Sequence, residues 1–213
     1  MTGILTGASG GIGGAVRREL EAHGYSVIAL QSRLEKLADI QAEIKRILQQ
    51  RDDIAFLINA AGVGIFEPME TLSLATIERL IAVNLTAPIA LSKLLLPVLK
   101  RNGGTIVNIT SIEAVRAAKY SALYSATKAG LRHFSHTLFE EVRKEGVSVC
   151  SINPDVTATP FFDNNNLKFC PKDGTEFALD PNELAVLVRT VLESDGSVTD
   201  LTIRPQKIGI VKR

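Results

Sequence analysis

Short apolar runs alternate with helix-patterned stretches along the 213-residue sequence. The runs fall at residues 3–5, 26–30, 54–59, 105–109, 147–152 and 201–203. They lack the polar alternation of half-exposed strands, which suits parallel strands covered on both faces. Between them, residues 12–23 carry a helical pattern closed by Gly24. Residues 73–100 are apolar nearly all round, so much of that helix should be buried. Residues 124–144 set Leu131, Phe134, Leu138 and Val142 at helical spacing, and residues 182–193 form the last helical stretch. Such alternation implies an α/β fold built on one doubly wound parallel sheet. The length fits a single domain, residues 1–213, with a substantial core. The least periodic stretch, 159–181, is expected to be a functional lid loop.

Composition excludes several classes of partner. Lys and Arg number 24 against 23 Asp and Glu, a balance that argues against nucleic acid or an anionic membrane. No apolar run approaches the ~20 residues of a membrane span. The first residues, MTGILTGASGG, lack the basic flank and long apolar region of a signal peptide. Cys150 and Cys170 cannot make a disulfide framework, and no cysteine or histidine spacing suits a metal. His23, His133 and His136 read as surface residues. The expectation is a cytoplasmic protein without a metal.

The stretch ILTGASGGIGGAV follows the first strand and opens the first helix. Gly7, Gly11 and Gly13 lie where a chain must turn sharply, admit a pyrophosphate and pack a helix on a strand. The helix start then offers free N–H groups and its positive dipole end to phosphates.

Two tyrosines, Tyr120 and Tyr124, stand four residues apart among small neighbours. A phenol titrates near 10 and needs help to exchange protons at neutral pH. Residues i and i+4 share a helix face, so Lys128 can assist Tyr124, whereas Tyr120 has only Tyr124 there. Tyr124 is therefore the expected acid/base, with Lys128 expected to lower its pKa. Tyr120 is expected to pack or to line the pocket.

The spacing Thr6-Gly7-x-x-x-Gly11-x-Gly13, the motif NAAG at 59–62, Ser111 after the strand 105–109, and Tyr124-x-x-x-Lys128 thirteen residues further on together resemble the short-chain dehydrogenase/reductase family, including its 3-oxoacyl-acyl-carrier-protein reductase-like and carbonyl reductase-like members. The resemblance covers nearly the whole chain and implies a Rossmann-type fold. It implies that Gly7, Ser9, Gly11, Ile12, Gly13, Asn59, Ala60 and Gly62 border a nicotinamide cofactor. It also implies that Ser111 orients a substrate oxygen, that Tyr124 exchanges the proton, and that Lys128 tunes Tyr124 and binds ribose hydroxyls. Asn84 would hold a water in a proton relay, although from the residues alone it could simply cap or kink its helix near Pro88. Relatives associate as homodimers or homotetramers through the two long helices.

After the second strand the sequence reads LQSRLEKLADIQ. An NAD enzyme usually places an acid at this strand end to bond the ribose 2′-hydroxyl. Gln31 stands there, and Arg33 could pair with a 2′-phosphate. NADP is expected, with NAD less favoured. Only 24 positions, 31–54, separate this strand from the next clear one, whereas a helix, a strand and a second helix need roughly 30 or more. One convincing helix fits, at 40–50. The helix after strand two is expected to be missing or a single turn, with residues 36–38 as a very short third strand. Asp39 would contact adenine or N-cap the helix.

NPDVTATPFF follows the sixth strand. Relatives show Pro-Gly there and a threonine that meets the cofactor. Pro154, Thr157 and Thr159 fit that pattern. Asp155 replaces the glycine, so either it takes a positive φ or its charge sits near the site. Ile65, Glu113 and Phe161 are candidates for the substrate wall. The implied activity is NADPH-dependent interconversion of a carbonyl and a secondary alcohol, on a 3-oxoacyl thioester or a small ketone. The alternatives are a cofactor-binding sensor or partner protein with little turnover, and an NAD-dependent alcohol dehydrogenase.

Overall fold

A computed structural model of the chain describes residues 1–162, 169–171, 176–207 and 209–212. Six parallel strands form the main sheet: β1 (Thr2–Thr6), β2 (Ser26–Ala29), β3 (Ile54–Asn59), β4 (Thr105–Ile109), β5 (Ser148–Pro154) and β7 (Asp200–Ile203), in the order β2-β1-β3-β4-β5-β7. The helices are α1 (Gly11–Ala22), α2 (Leu37–Gln50), α3 (Leu74–Ile81), α4 (Ala87–Asn102), α5 (Ala122–Val142) and α6 (Pro181–Glu193). Two short strands, β6 (Phe169–Pro171) and β8 (Ile210–Lys212), pair antiparallel apart from the sheet.

Each strand sends alternate side chains to opposite faces, both of them covered, which explains why the runs lack polar alternation. Ile4, Leu57, Ile106 and Val149 join the core beneath α2, α4 and α5. Their neighbours Leu5, Phe56, Ile58, Val107 and Cys150 join the core beneath α1 and α6. The chain runs from β1 outward to β2, then crosses back over β1 to β3. Strand order therefore reverses between β1 and β3, the switch point at which open α/β sheets bind ligands.

The region before β3 departs from the expected short third strand. Lys36 is instead the N-cap of α2, and Leu37 and Ala38 lie in its first turn. The apolar stripe of Ile40, Ile44 and Ile47 buries α2 on the sheet, and helix propagation backward from that anchored face wins over a three-residue edge strand. The N-cap position thus falls to Lys36 rather than Asp39, which sits exposed in the first turn, where its charge favours the helix dipole.

The helical run Leu74–Asn102 is 29 residues long and apolar enough by composition to span a membrane. Its apolarity has a use in the fold, because Leu80, Ala87, Leu91, Leu95 and Val98 are all buried. A π-helical segment, Ala82–Thr86, interrupts it. The segment holds Asn84 and aims it inward.

Candidate active site

The C-terminal ends of β1, β3, β4 and β5 open into a cleft of about 660 Å³. On its β1 side, Gly7 turns the chain with φ +72°. A Cβ at Gly13 would lie only 2.1 Å from the Gly7 carbonyl oxygen, so α1 can approach the turn this closely only with glycine. A Cβ at Gly11 would fall 2.4 Å from Thr159, so here the loop after β5 closes onto the turn. Gly10, the N-cap of α1, gives no side-chain cap to the first-turn N–H groups. Gly7, Ser9, Gly11, Ile12 and Gly13 all line the cleft. An uncapped helix start behind a sharp glycine turn suits a pyrophosphate, so the residues present fit a dinucleotide.

On the β3 side, Ala60 and Gly62 line the cleft. Asn59 lies deeper and donates from Nδ2 to Asn108 Oδ1 at 2.8 Å, tying β3 to β4. Asn84 is fully buried. Its Oδ1 accepts the Val63 N–H at 2.9 Å, and its Nδ2 donates to the Val63 carbonyl and to Thr127 Oγ1. Its first task is thus to clamp the strand-end segment. A methyl at Gly62 would lie 3.3 Å from Lys128 Nζ and 3.5 Å from Asn84 Oδ1, so the two side chains flank one spot.

Ser111 follows β4 and caps a short 3₁₀ turn. Tyr124 and Lys128 stand one turn apart near the start of α5, and both are buried. Ser111 and Tyr124 line the same cleft, and Ser111 Oγ accepts the Glu113 N–H at 3.2 Å. Phe66 and Phe161 flank the Tyr124 ring, with centroids 5.1 and 6.2 Å away. Burial pushes the Tyr124 hydroxyl up to about 12; the Ser111 side chain opposes this and the Glu113 charge adds to it. Loss of water sets the direction of this shift, and Lys128 is not among its causes. Lys128 Nζ stands 5.8 Å from the ring centroid and donates to the Ile109 carbonyl at 3.0 Å. Its own burial pushes the ammonium down to about 8.

The substrate end is more charged than the sequence implied. Tyr120 is the one non-glycine residue with positive φ among those described, so Asp155 does not take the place of glycine by a left-handed backbone. Its carboxylate is buried and paired. Arg204 Nε lies 3.0 Å away and Arg116 Nη2 3.4 Å. Arg116 also reaches Glu113 at 3.3 Å, and Ser125 donates to the same carboxylate at 3.2 Å. Glu113, Arg116, Lys119, Tyr120 and Asp155 all line the cleft, as do Pro154, Thr157, Thr159 and Phe161. Ile65 is not among the lining residues; Phe66 takes that place. Sequence reasoning also passed over Arg79 on α3 and the loop residues Arg116 and Lys119, since a lone cation carries no spacing signal.

The lid expected at 159–181 falls partly outside the described residues. Its ends are held together: Ala158 N–H donates to the Leu179 carbonyl at 2.9 Å, and Leu179 N–H to that of Val156 at 2.8 Å. His136 also departs from a plain surface reading, with Nε2 3.6 Å from Asp200.

Arg33 and Asp39 do not reach the cleft lining, and neither does Gln31. The strand end nevertheless has an acid. Glu43, on α2, accepts hydrogen bonds from the Gln31 N–H at 3.1 Å and the Ser32 N–H at 2.7 Å. Burial pushes its carboxyl up, but the Ser32 and Gln31 hydrogen bonds outweigh this and hold it below its ordinary value.

A glycine turn at the switch point of a parallel sheet makes this a Rossmann-type dinucleotide-binding fold. The chain is an oxidoreductase of the short-chain dehydrogenase family, whose profile matches residues 34–168. An uncharacterised oxidoreductase of Staphylococcus epidermidis is 26% identical over 230 residues, covering 95% of this chain and 96% of the relative. Among solved structures, an alcohol dehydrogenase from Thermococcus sibiricus, complexed with 5-hydroxy-NADP, superimposes with a TM-score of 0.87 at 26% identity, covering 97% of each chain. A 4-hydroxyisoleucine dehydrogenase complexed with NADH gives 0.82 at 25% identity, covering 96% of each.

Proposed function

We propose that the chain interconverts a carbonyl and a secondary alcohol, with Tyr124 as the proton donor or acceptor. The observation that carries this is that Ser111, Tyr124 and Lys128 line one cleft, with Lys128 one helical turn beyond Tyr124. A bound nicotinamide would supply or take the hydride. Gly7, Gly13 and the first turn of α1 would hold its pyrophosphate, and Lys128 its nearer ribose.

Ser111 would hydrogen-bond the substrate oxygen and fix it beside Tyr124. Tyr124 is kept protonated by burial, so it stands ready to donate to an oxygen on which charge develops. Lys128, with its ammonium near neutrality in pKa, can return a proton to that region. Phe66 and Phe161, packed against the Tyr124 ring, would limit water at the reacting centre. The substrate class stays a small ketone or a 3-oxoacyl thioester, and the exposed Ile81 and Ile89 support association of copies through the long helix.

The solved relatives carrying 5-hydroxy-NADP and NADH support a nicotinamide cofactor without choosing its form. Arg33 is the sequence's case for NADPH; Glu43, held at the end of β2, is the structure's case for NADH. Tyr124→Phe tests the mechanism. Turnover on a panel of ketones should fall at least about 1,000-fold while dinucleotide affinity changes less than about threefold. Tyr120→Phe should keep most activity. Equal losses in the two variants would refute the assignment, and tight binding without any turnover would favour a sensor.

A further inference from the structure

The shortened crossover lays α2 directly against the end of β2 and delivers a carboxylate that the linear pattern lacks. Besides the two backbone N–H groups, Glu43 accepts the Ser32 hydroxyl. The β1–β2 register sets Leu5 against Ala29. Continued two residues, it sets Gln31 opposite Gly7. Adjacent strands lie about 4.8 Å apart, which sets the loop that Glu43 holds beside the glycine turn, just outside the cleft lining. The loop that carries Gln31 and Ser32 is tied to the cleft as well, through Glu35 at 3.3 Å from the cleft-lining Arg79.

We propose that Glu43 reads the 2′ position of the adenosine ribose and makes this chain selective for NAD(H) over NADP(H). The inference rests on the dinucleotide reading above. A ribose 2′-hydroxyl can donate its hydrogen to a carboxylate, whereas a 2′-phosphate near neutral pH is an anion that needs donors. The donors this strand end offers, the Gln31 and Ser32 N–H groups and the Ser32 hydroxyl, are already engaged by Glu43. A phosphate must displace Glu43 and then lie beside its charge. Arg33 pulls the other way, but its exposed side chain makes no hydrogen bond or ion pair among the described residues. Solvent screens so free a charge. Glu43 escaped the sequence rule because that rule looks for an acid on β2 itself, and here the acid is supplied by the next helix.

The test is a titration of the full chain with NADH and, separately, NADPH, followed by fluorescence, for the wild type, Glu43→Gln and Glu43→Ala. The wild type should bind NADH on the order of 10- to 100-fold more tightly than NADPH. Both variants should lose most of that ratio, chiefly by gaining affinity for NADPH. ADP-ribose and its 2′-phosphate, competed against NADH on the wild type, give the same comparison without any substitution. Equal binding of both cofactors, preference for NADPH, or a ratio unchanged in both variants overturns the inference alone. Binding of neither dinucleotide overturns the oxidoreductase reading and this inference with it.

Discussion

Lys128 is an ammonium only 4% exposed on α5, and removing its charge should stabilise the fold while destroying activity. Burial brings its pKa from 10.5 down to about 8. Between those values the unfolded chain binds more protons than the native state, so this group's contribution makes stability rise with pH through that window. Below it, keeping the buried lysine charged costs about 3 kcal/mol. Lys128→Met retains the apolar stem and removes the charge. It also removes the hydrogen bond to the Ile109 carbonyl, worth about 1 kcal/mol. The net expectation is a gain of about 2 kcal/mol near neutral pH, or a rise in Tm of about 4–8 °C. Urea unfolding of wild type and variant, at about pH 7 and at about pH 9.5, measures the gain and its expected shrinkage. The comparison must be made at each pH, because other groups titrate too. Burial pushes the Cys150 thiol and the Tyr124 phenol each up to about 12, and both lower stability as pH rises past their unfolded values. A variant less stable than wild type near neutrality, or a gain that does not change with pH, would refute the reasoning.

Asp155→Asn should cost about 1–3 kcal/mol, read by urea unfolding, because two arginines lose their buried partner while remaining partly solvated. It should raise KM more than it lowers kcat, since the loops it ties carry cleft residues and not the Ser111–Tyr124 pair. Gly13→Ala forces its Cβ toward the Gly7 carbonyl; dinucleotide affinity, measured by calorimetry, should drop at least about tenfold, and the fold should lose about 1–3 kcal/mol.

The six sheet strands were legible because parallel strands covered on two faces are apolar at most positions without polar alternation, as Leu5, Ile58 and Val107 illustrate. The glycine turn was legible because Gly7 and Gly13 meet steric demands that act within a few residues. Tyr124 and Lys128 were legible for a similar reason, since helix geometry alone sets residues four apart on one face. What lay beyond the sequence was interaction across long separations. Asp155 meets Arg116 and Arg204, 39 and 49 positions away, and neither partner carries any local signal. The pKa of Tyr124 depends on how much water the fold removes, which the i+4 spacing does not encode. Residues 36–38 could extend or coil by local preference, and the stripe of Ile40, Ile44 and Ile47 decided for helix by docking on the sheet. That docking also carried Glu43 to the end of β2. Local patterns determined the elements and the spacing of Tyr124 and Lys128; only the packing of those elements determined which charges stand around them, because burial and through-space contact are properties of the whole fold.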